Sequence, residues 1–162
     1  MTVPHPQPTD FEIRRIPYLL TYPLRTAILW PNHPSEVPLA ADPTGLHYGL
    51  FLASDSSTPV SVISLFIESP PASDFTPQQQ SKGKIARFRK FATAAEIQGK
   101  GYGGALLSHV FEDAKRNERI TGVWCTARVN QVGFYEKRGM SVVEGSESDQ
   151  KGVKHVRMVM EL

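Results

Sequence analysis

Four glycines fall within six positions in Gln98-Gly99-Lys100-Gly101-Tyr102-Gly103-Gly104, directly ahead of an apolar stretch with helical spacing. Glycine lets a backbone turn tightly and lets a ligand come close to the main chain. Leu106, Leu107, Val110, Phe111 and Ala114 share one face and predict an amphipathic helix over 103–116. The first amides of a helix have no intrahelical partner, and the helix dipole adds positive character there. Such an end suits a phosphate or pyrophosphate, and Gln98 adds a side-chain donor while Lys100 adds a charge. A plain strand-to-helix connector needs fewer glycines. Three ligand classes remain. Gly99, Gly101 and Gly104 spell a literal G-x-G-x-x-G, but a dinucleotide site also needs an acidic residue about 20 positions on to hold a ribose. The following strand ends Trp124-Cys125-Thr126, without a carboxylate. A Walker loop needs G-x-x-x-x-G-K-[ST], and the sequence has no such run. Coenzyme A, which also carries a pyrophosphate, is the third class.

A second group lies further on: Asn130, then Phe134-Tyr135, then Gly139-Met140. On the residues alone, Asn130 reads as the N-cap of a short helix and Tyr135 as an aromatic of its core. Together with the glycine turn, the group resembles the GNAT superfamily of N-acetyltransferases, whose signature [RQ]-x-x-G-x-[GA] follows a strand and is matched here by residues 98–103. The resemblance is good over about 85–143 and looser over the rest. Gln98 stands where Arg is commoner, Ala95 where Pro is frequent and Met140 where Phe is frequent; none of these removes a needed group.

The resemblance implies acetyl-CoA as cosubstrate and direct attack of an amine on its thioester in a ternary complex. It implies that Phe91, Ala92 and Thr93, at the end of a strand, present backbone groups to the pantetheine arm. A backbone N–H near Phe91 or Ala92 would then stabilise the developing oxyanion. The parallel strands carrying Phe91 and Cys125 should splay apart. Gln98, Gly99, Lys100, Gly101, Tyr102, Gly103 and Gly104 would hold the pyrophosphate, Asn130 would line the cofactor slot, and Tyr135 would donate a proton to the departing thiolate. A phenol with an ordinary pKa of about 10 is a neutral donor at physiological pH. A non-catalytic acyl-CoA-binding module is the alternative; a pure binder has no use for a proton donor at Tyr135. Homodimers are common in such folds.

No base stands out among Glu68, His47 and Glu96. Cys125, the one cysteine, reads as a small buried residue, since no His or Asp stands in a recognisable relation to it. The five histidines show no metal spacing, so no metal is expected, and His109 reads as a surface or boundary residue. Trp30 and Trp124 read as core. Glu36, Asp42, Glu144, Glu147 and Asp149 could draw a cationic acceptor but read first as solvated loop charges. Protein lysine, protein N-terminus, amino sugar, polyamine and arylamine all remain open as acceptors.

These groups need a scaffold. At 162 residues, 40% hydrophobic and 21% charged, the chain reads as one folded domain over 11–162 behind a flexible, Pro-bearing tail over 1–10. Net charge is +2 without a Lys/Arg block, which argues against a nucleic-acid partner. Apolar runs such as 62–67 fall far short of a membrane span. One cysteine and no signal-peptide pattern point to the cytoplasm, with the nucleus not separated from it. Strands are expected at 11–16 (an edge), 46–53, 60–68, 85–93, 120–126, 140–144 and 155–162, the second and third forming a hairpin. Helices are expected at 18–30, disturbed by Pro23, at 103–116, and at 130–138, ended by Gly139. Segment 69–83, with three prolines and three consecutive glutamines, reads as a long mobile loop. The unit from 85 to 126 should be a right-handed parallel crossover. The fold class is therefore α/β (α+β): a mixed, mostly antiparallel central sheet of about seven strands with one splayed parallel pair, flanked by helices.

Overall fold

The computed structural model describes residues 10–71 and 73–162, so the tail expected over 1–10 lies outside the described residues except for Asp10. In chain order the elements are β1 (Phe11–Arg15), α1 (Tyr22–Leu24), β2 (Leu46–Leu52), β3 (Ser61–Ile67), α2 (Pro77–Ser81), β4 (Lys84–Thr93), α3 (Tyr102–Glu118), β5 (Ile120–Arg128), α4 (Val132–Glu136), β6 (Ser141–Val142), β7 (Ser148–Gln150) and β8 (Val153–Glu161). The fold is the expected mixed α/β class, with an eight-stranded, mostly antiparallel sheet and helices flanking it. The one parallel pair is β4 with β5, as the strand–helix–strand pattern requires. The strand beyond the expected seven is β7, three residues long. No helix among the described residues is long and apolar enough to cross a membrane.

By contact the chain divides into two compact units, one of residues up to Phe66 with Lys90–Glu112, the other of Ile67–Arg89 with Asp113–Leu162. In the first unit β1 is an edge strand paired antiparallel to β2, and β2 to β3. Both β2 and β3 are buried along nearly their whole length. The stretch 18–30 is helical, as its spacing predicts, but changes type along its length: a 3-10 turn at Tyr18–Thr21, then α1, then a π turn at Arg25–Leu29. Pro23 has no N–H to complete a regular ladder, and the segment closes with Trp30 N–H on the Arg25 carbonyl at 3.0 Å. Leu24, Ile28 and Leu29 pack against Ile16, Phe51, Val62 and Ala92, whereas Leu20 faces solvent. The five apolar residues expected on the inner face of α3 are all buried. Each fully buried leucine there contributes about 1.5–3 kcal/mol. Trp30, expected in the core, is only half-buried, with the Lys90 ammonium 5.4 Å from its ring centroid.

In the second unit β5 pairs antiparallel with β8 over seven rungs, from Gly122↔Glu161 to Arg128↔His155. β6 and β7 both pair with β8. Val156 and Met158 are buried, and Met160 and Leu162 are half-buried, which preserves the expected alternation. Within the segment expected as a loop, Pro77–Ser81 forms the short helix α2. Thr76 and Gln79 form a reciprocal capping box at the start of α2, with Pro77 in its first turn. Phe75 is buried against Gly122, where an added Cβ would meet its ring at 2.9 Å. Arg157 donates from Nε and Nη2 to both Asp74 oxygens, at 2.6 and 3.0 Å.

Candidate active site

The first unit carries the glycine turn. Gly99 and Gly101 have φ of +77° and +91°, conformations that cost a side-chain-bearing residue about 1–2 kcal/mol each. Ala105 N–H makes the opening bond of α3 to the Gly101 carbonyl at 3.1 Å. The amides of 102–104 precede that bond, as a phosphate-binding helix start requires. At Gly103 a Cβ would sit 3.3 Å from both Phe91 Cζ and Thr93 Oγ1, so glycine lets the first turn of α3 lie directly on the end of β4. Gly104 is buried, Tyr102 stands edge-on to Phe11 at 6.0 Å, and Lys100 is exposed. Gln98 donates from Nε2 to the Thr93 carbonyl at 2.8 Å. A primary amide has two N–H donors, so this contact uses one of them to tie the turn back to β4.

Thr93 is held on three sides. Its carbonyl takes Gln98, its hydroxyl lies 2.8 Å from Ser61 Oγ, and the next residue, Ala94, donates its N–H to the Val60 carbonyl at 2.8 Å. Ser61 is fully buried; an isolated serine in a strand gives no sequence signal for such a role. Just upstream, Lys90 has φ +55° inside β4, a left-handed residue of the kind that makes a strand bulge. The β4/β5 ladder runs in parallel from Lys84↔Ile120 to Arg87↔Trp124.

The second unit carries Tyr135, on α4. Its ring lies 5.7 Å from Phe88 and 5.1 Å from Phe134. Burial pushes its phenol well above the ordinary range, the neighbouring Cys125 adds to the rise, and Arg138 opposes it. The hydroxyl therefore stays protonated at any physiological pH and can act only as a donor or acceptor of hydrogen bonds, or as an acid toward a stronger base. Burial pushes the Cys125 thiol up to about 12 against the Arg87 charge, which keeps it an inert core thiol. α4 ends at Glu136 with Lys137 at its cap, short of the expected 138, and Gly139, φ +93°, instead closes the turn that follows, with Met140 N–H on the Tyr135 carbonyl at 3.2 Å. Asn130 does not cap this helix. It is exposed within a 3-10 turn, Val129–Gln131, which moves the start of α4 to Val132 and leaves Gln131 at the cap position.

The three candidate bases separate by environment. Glu96 is exposed in a 3-10 turn, Ala95–Ile97. Glu68 accepts from Arg87 Nη1 at 3.1 Å, and its carbonyl accepts from Trp124 Nε1 at 2.9 Å. The same Arg87 lies over the Trp124 ring and reaches Thr126 Oγ1 from Nη2 at 3.1 Å. His47 belongs to a buried network that the sequence did not reveal. Arg25 donates from Nη1 and Nη2 to the two oxygens of Asp42, at 2.8 and 2.9 Å, and also to the Val37 carbonyl and Ser64 Oγ. Asp42, taken from the sequence as a solvated loop charge, is 1% exposed and Arg25 is 0% exposed. Burial raises the Asp42 carboxyl, but bonds from Arg25, the Leu39 amide and Tyr22 outweigh it and hold it below the usual carboxylate range. His47 Nε2 faces the Asp42 carbonyl at 2.8 Å and Nδ1 faces Ser64 Oγ at 2.7 Å. A carbonyl only accepts, so Nε2 carries the proton and Nδ1 accepts from Ser64. Burial lowers the His47 pKa against the pull of the Asp42 carbonyl and charge. A neutral imidazole saturated on both nitrogens is a structural group here. Among the described residues no cluster of His, Cys, Asp and Glu is placed to hold a metal ion.

A comparison with curated proteins found no match. Solved structures share the fold. An IAA acetyltransferase from Bacillus cereus is 22% identical with a TM-score of 0.67, covering 94% of this chain and 100% of that one. A GNAT family acetyltransferase from Elizabethkingia anophelis, solved with acetyl-CoA bound, is 18% identical with a TM-score of 0.62, covering 94% and 99%. An aminoglycoside 6'-N-acetyltransferase complexed with coenzyme A is 10% identical with a TM-score of 0.66, covering 93% and 96%. At these identities the likeness is one of fold. The family model described as acetyltransferase (GNAT) domain matches residues 46–162, well over half of the sequence. With the glycine turn and the parallel pair of β4 and β5 inside that span, the chain belongs to the GNAT acetyltransferase family.

Proposed function

We propose that residues 11–162 act as one N-acetyltransferase domain that transfers an acetyl group from acetyl-CoA to an amine by direct attack in a ternary complex. The observation that carries this reading is the glycine turn: two left-handed glycines, then a helix start laid on the end of β4 because Gly103 has no side chain. That cradle fits a pyrophosphate bound by backbone amides. Acetyl-CoA supplies the activated acyl group. The amides at the start of α3, with Lys100 beside them, hold its pyrophosphate. Phe91, Ala92 and Thr93 offer main-chain hydrogen bonds to the pantetheine arm, and a backbone N–H at Phe91 or Ala92 stabilises charge as it develops on the thioester oxygen. Asn130 lines the same slot. Tyr135, held neutral by its surroundings, hydrogen-bonds to the departing sulfur and gives it a proton as the nitrogen of the tetrahedral intermediate returns one to the phenol, so that the products are the amide and the free thiol and Tyr135 is restored. Small-molecule and peptide amines both suit this chemistry, and the cytoplasm is the proposed site of action.

The test is release of CoA thiol from acetyl-CoA in the presence of a panel of amines: lysine and N-terminal peptides, polyamines, amino sugars and arylamines. Amine-dependent release with matching acetylated product supports the transferase. Tight acetyl-CoA binding without release for any amine would favour a non-catalytic acyl-CoA-binding module.

A further inference from the structure

Three residues other than glycine have positive φ among the described residues: Lys90, Arg119 and Lys151. Arg119 lies between α3 and β5, and Lys151 between β7 and β8, where chain reversals call for such geometry. Lys90 lies inside a strand, where φ is ordinarily about −120 to −140°. A residue with a four-carbon side chain is an uncommon occupant of that conformation, and it persists only where the surroundings enforce it.

The surroundings of Lys90 supply that enforcement through its side chain. Nζ donates to the Glu36 carbonyl at 2.8 Å, across 54 positions of sequence, and lies 5.4 Å from the centroid of the Trp30 ring. Glu36 ends the 3-10 turn Pro34–Glu36, and the next carbonyl, that of Val37, is held by the buried Arg25 Nη1 at 3.0 Å. Lys90 is thus clamped to backbone that is itself fixed by the Arg25–Asp42 pair. The torsions at Lys90 set the plane of the peptide that follows, which carries the N–H of Phe91.

We propose that Lys90 is a positioning residue for acetyl transfer: its ammonium, held by the Glu36 carbonyl and the Trp30 ring, fixes the left-handed turn in β4 that aims the N–H groups of Phe91 and Ala92. This rests on the proposed function, in which one of those N–H groups meets the thioester oxygen. The contact strengthens as charge develops, so its misalignment lowers turnover more than it weakens binding. Small displacements of a well-aimed group are enough to cost large factors in rate.

Lys90→Met keeps the stem and removes the donor, whereas Lys90→Arg keeps a cation long enough to reach the same carbonyl. In the Met variant turnover falls about tenfold, equivalent to about 1.4 kcal/mol, while KM for acetyl-CoA and the Kd of CoA stay within about twofold of the wild type. Amide exchange at Phe91 and Ala92, followed on the ligand-free protein, quickens about tenfold. The Arg variant recovers both properties to within about threefold. Wild-type turnover in the Met variant would overturn the proposal, whether or not exchange changes. Unchanged exchange with lowered turnover would overturn it too, by placing the defect elsewhere. An inactive wild-type protein would instead reject the transfer reading itself and the positioning role with it, and faster exchange would then mark Lys90 as a purely structural clamp.

Discussion

Removing the Asp42 carboxylate strands a guanidinium. Arg25 is 0% exposed and makes four hydrogen bonds, two of them to Asp42. In Asp42→Ala the Val37 carbonyl and Ser64 hydroxyl remain as partners, but neither carries charge. Tyr22 Oη and the Leu39 N–H lose the same carboxylate, at 3.0 and 2.9 Å. Breaking a buried pair from one side costs about 3–5 kcal/mol, because the surviving ion stays desolvated and unpaired. For a domain of this size that lowers Tm by about 6–20 °C, at about 2–4 °C per kcal/mol. Replacing both charges, Arg25→Met with Asp42→Leu, removes the stranded ion and recovers much of the loss. Chemical denaturation of the wild type, Arg25→Met, Asp42→Leu and the double variant closes the cycle. The pair interaction appears as a double variant more stable than the sum of the single losses predicts. A loss below about 1 kcal/mol in Asp42→Ala, the range of an exposed pair, or simple additivity in the cycle, would refute the reasoning.

Tyr135→Phe removes the hydroxyl and keeps the ring against Phe88 and Phe134; turnover is expected to fall about 10²-fold or more with acetyl-CoA affinity nearly unchanged, and steady-state kinetics with equilibrium binding check it. His47 titrates below its ordinary pKa in the fold, so the unfolded chain binds more protons as pH falls beneath about 6.5, and stability declines there by up to about 1.4 kcal/mol per pH unit before levelling below the folded pKa. Denaturation between about pH 7.5 and about pH 5, either side of the ordinary histidine pKa of about 6.5, follows this slope, and His47→Gln should flatten it. Gly101→Ala places a Cβ at φ +91° and should cost about 1–2 kcal/mol of stability, together with a marked loss of acetyl-CoA affinity that calorimetry would measure.

What the sequence disclosed and what it withheld follow from the range of the interactions. The glycine turn and α3 are local: glycine spacing and a 3.6-residue apolar period are complete within about twenty positions. α2 obeys the same logic, since Thr76-Pro77-Gln78-Gln79 is a capping box with Pro in the first turn, but that signal is embedded among prolines and serines that equally fit a loop. Asn130 shows the opposite case, a good capping residue displaced because a 3-10 turn intervenes. The Arg25–Asp42–Ser64–His47 network joins residues 17 and 39 positions apart, and nothing local distinguishes Asp42 from an exposed loop carboxylate. The half-burial of Trp30 and the left-handed Lys90 likewise depend on tertiary packing.

The most direct test of the central claim is thermal unfolding of the chain alone and with acetyl-CoA, CoA or NAD, each at about a hundred times an expected dissociation constant. Binding to the native state at that excess adds about 2.7 kcal/mol, or about 5–10 °C in Tm. The account predicts that rise with acetyl-CoA and CoA and none with NAD. A folded sample that shifts with neither CoA species would contradict the assignment of the glycine turn and the acyl transfer built on it.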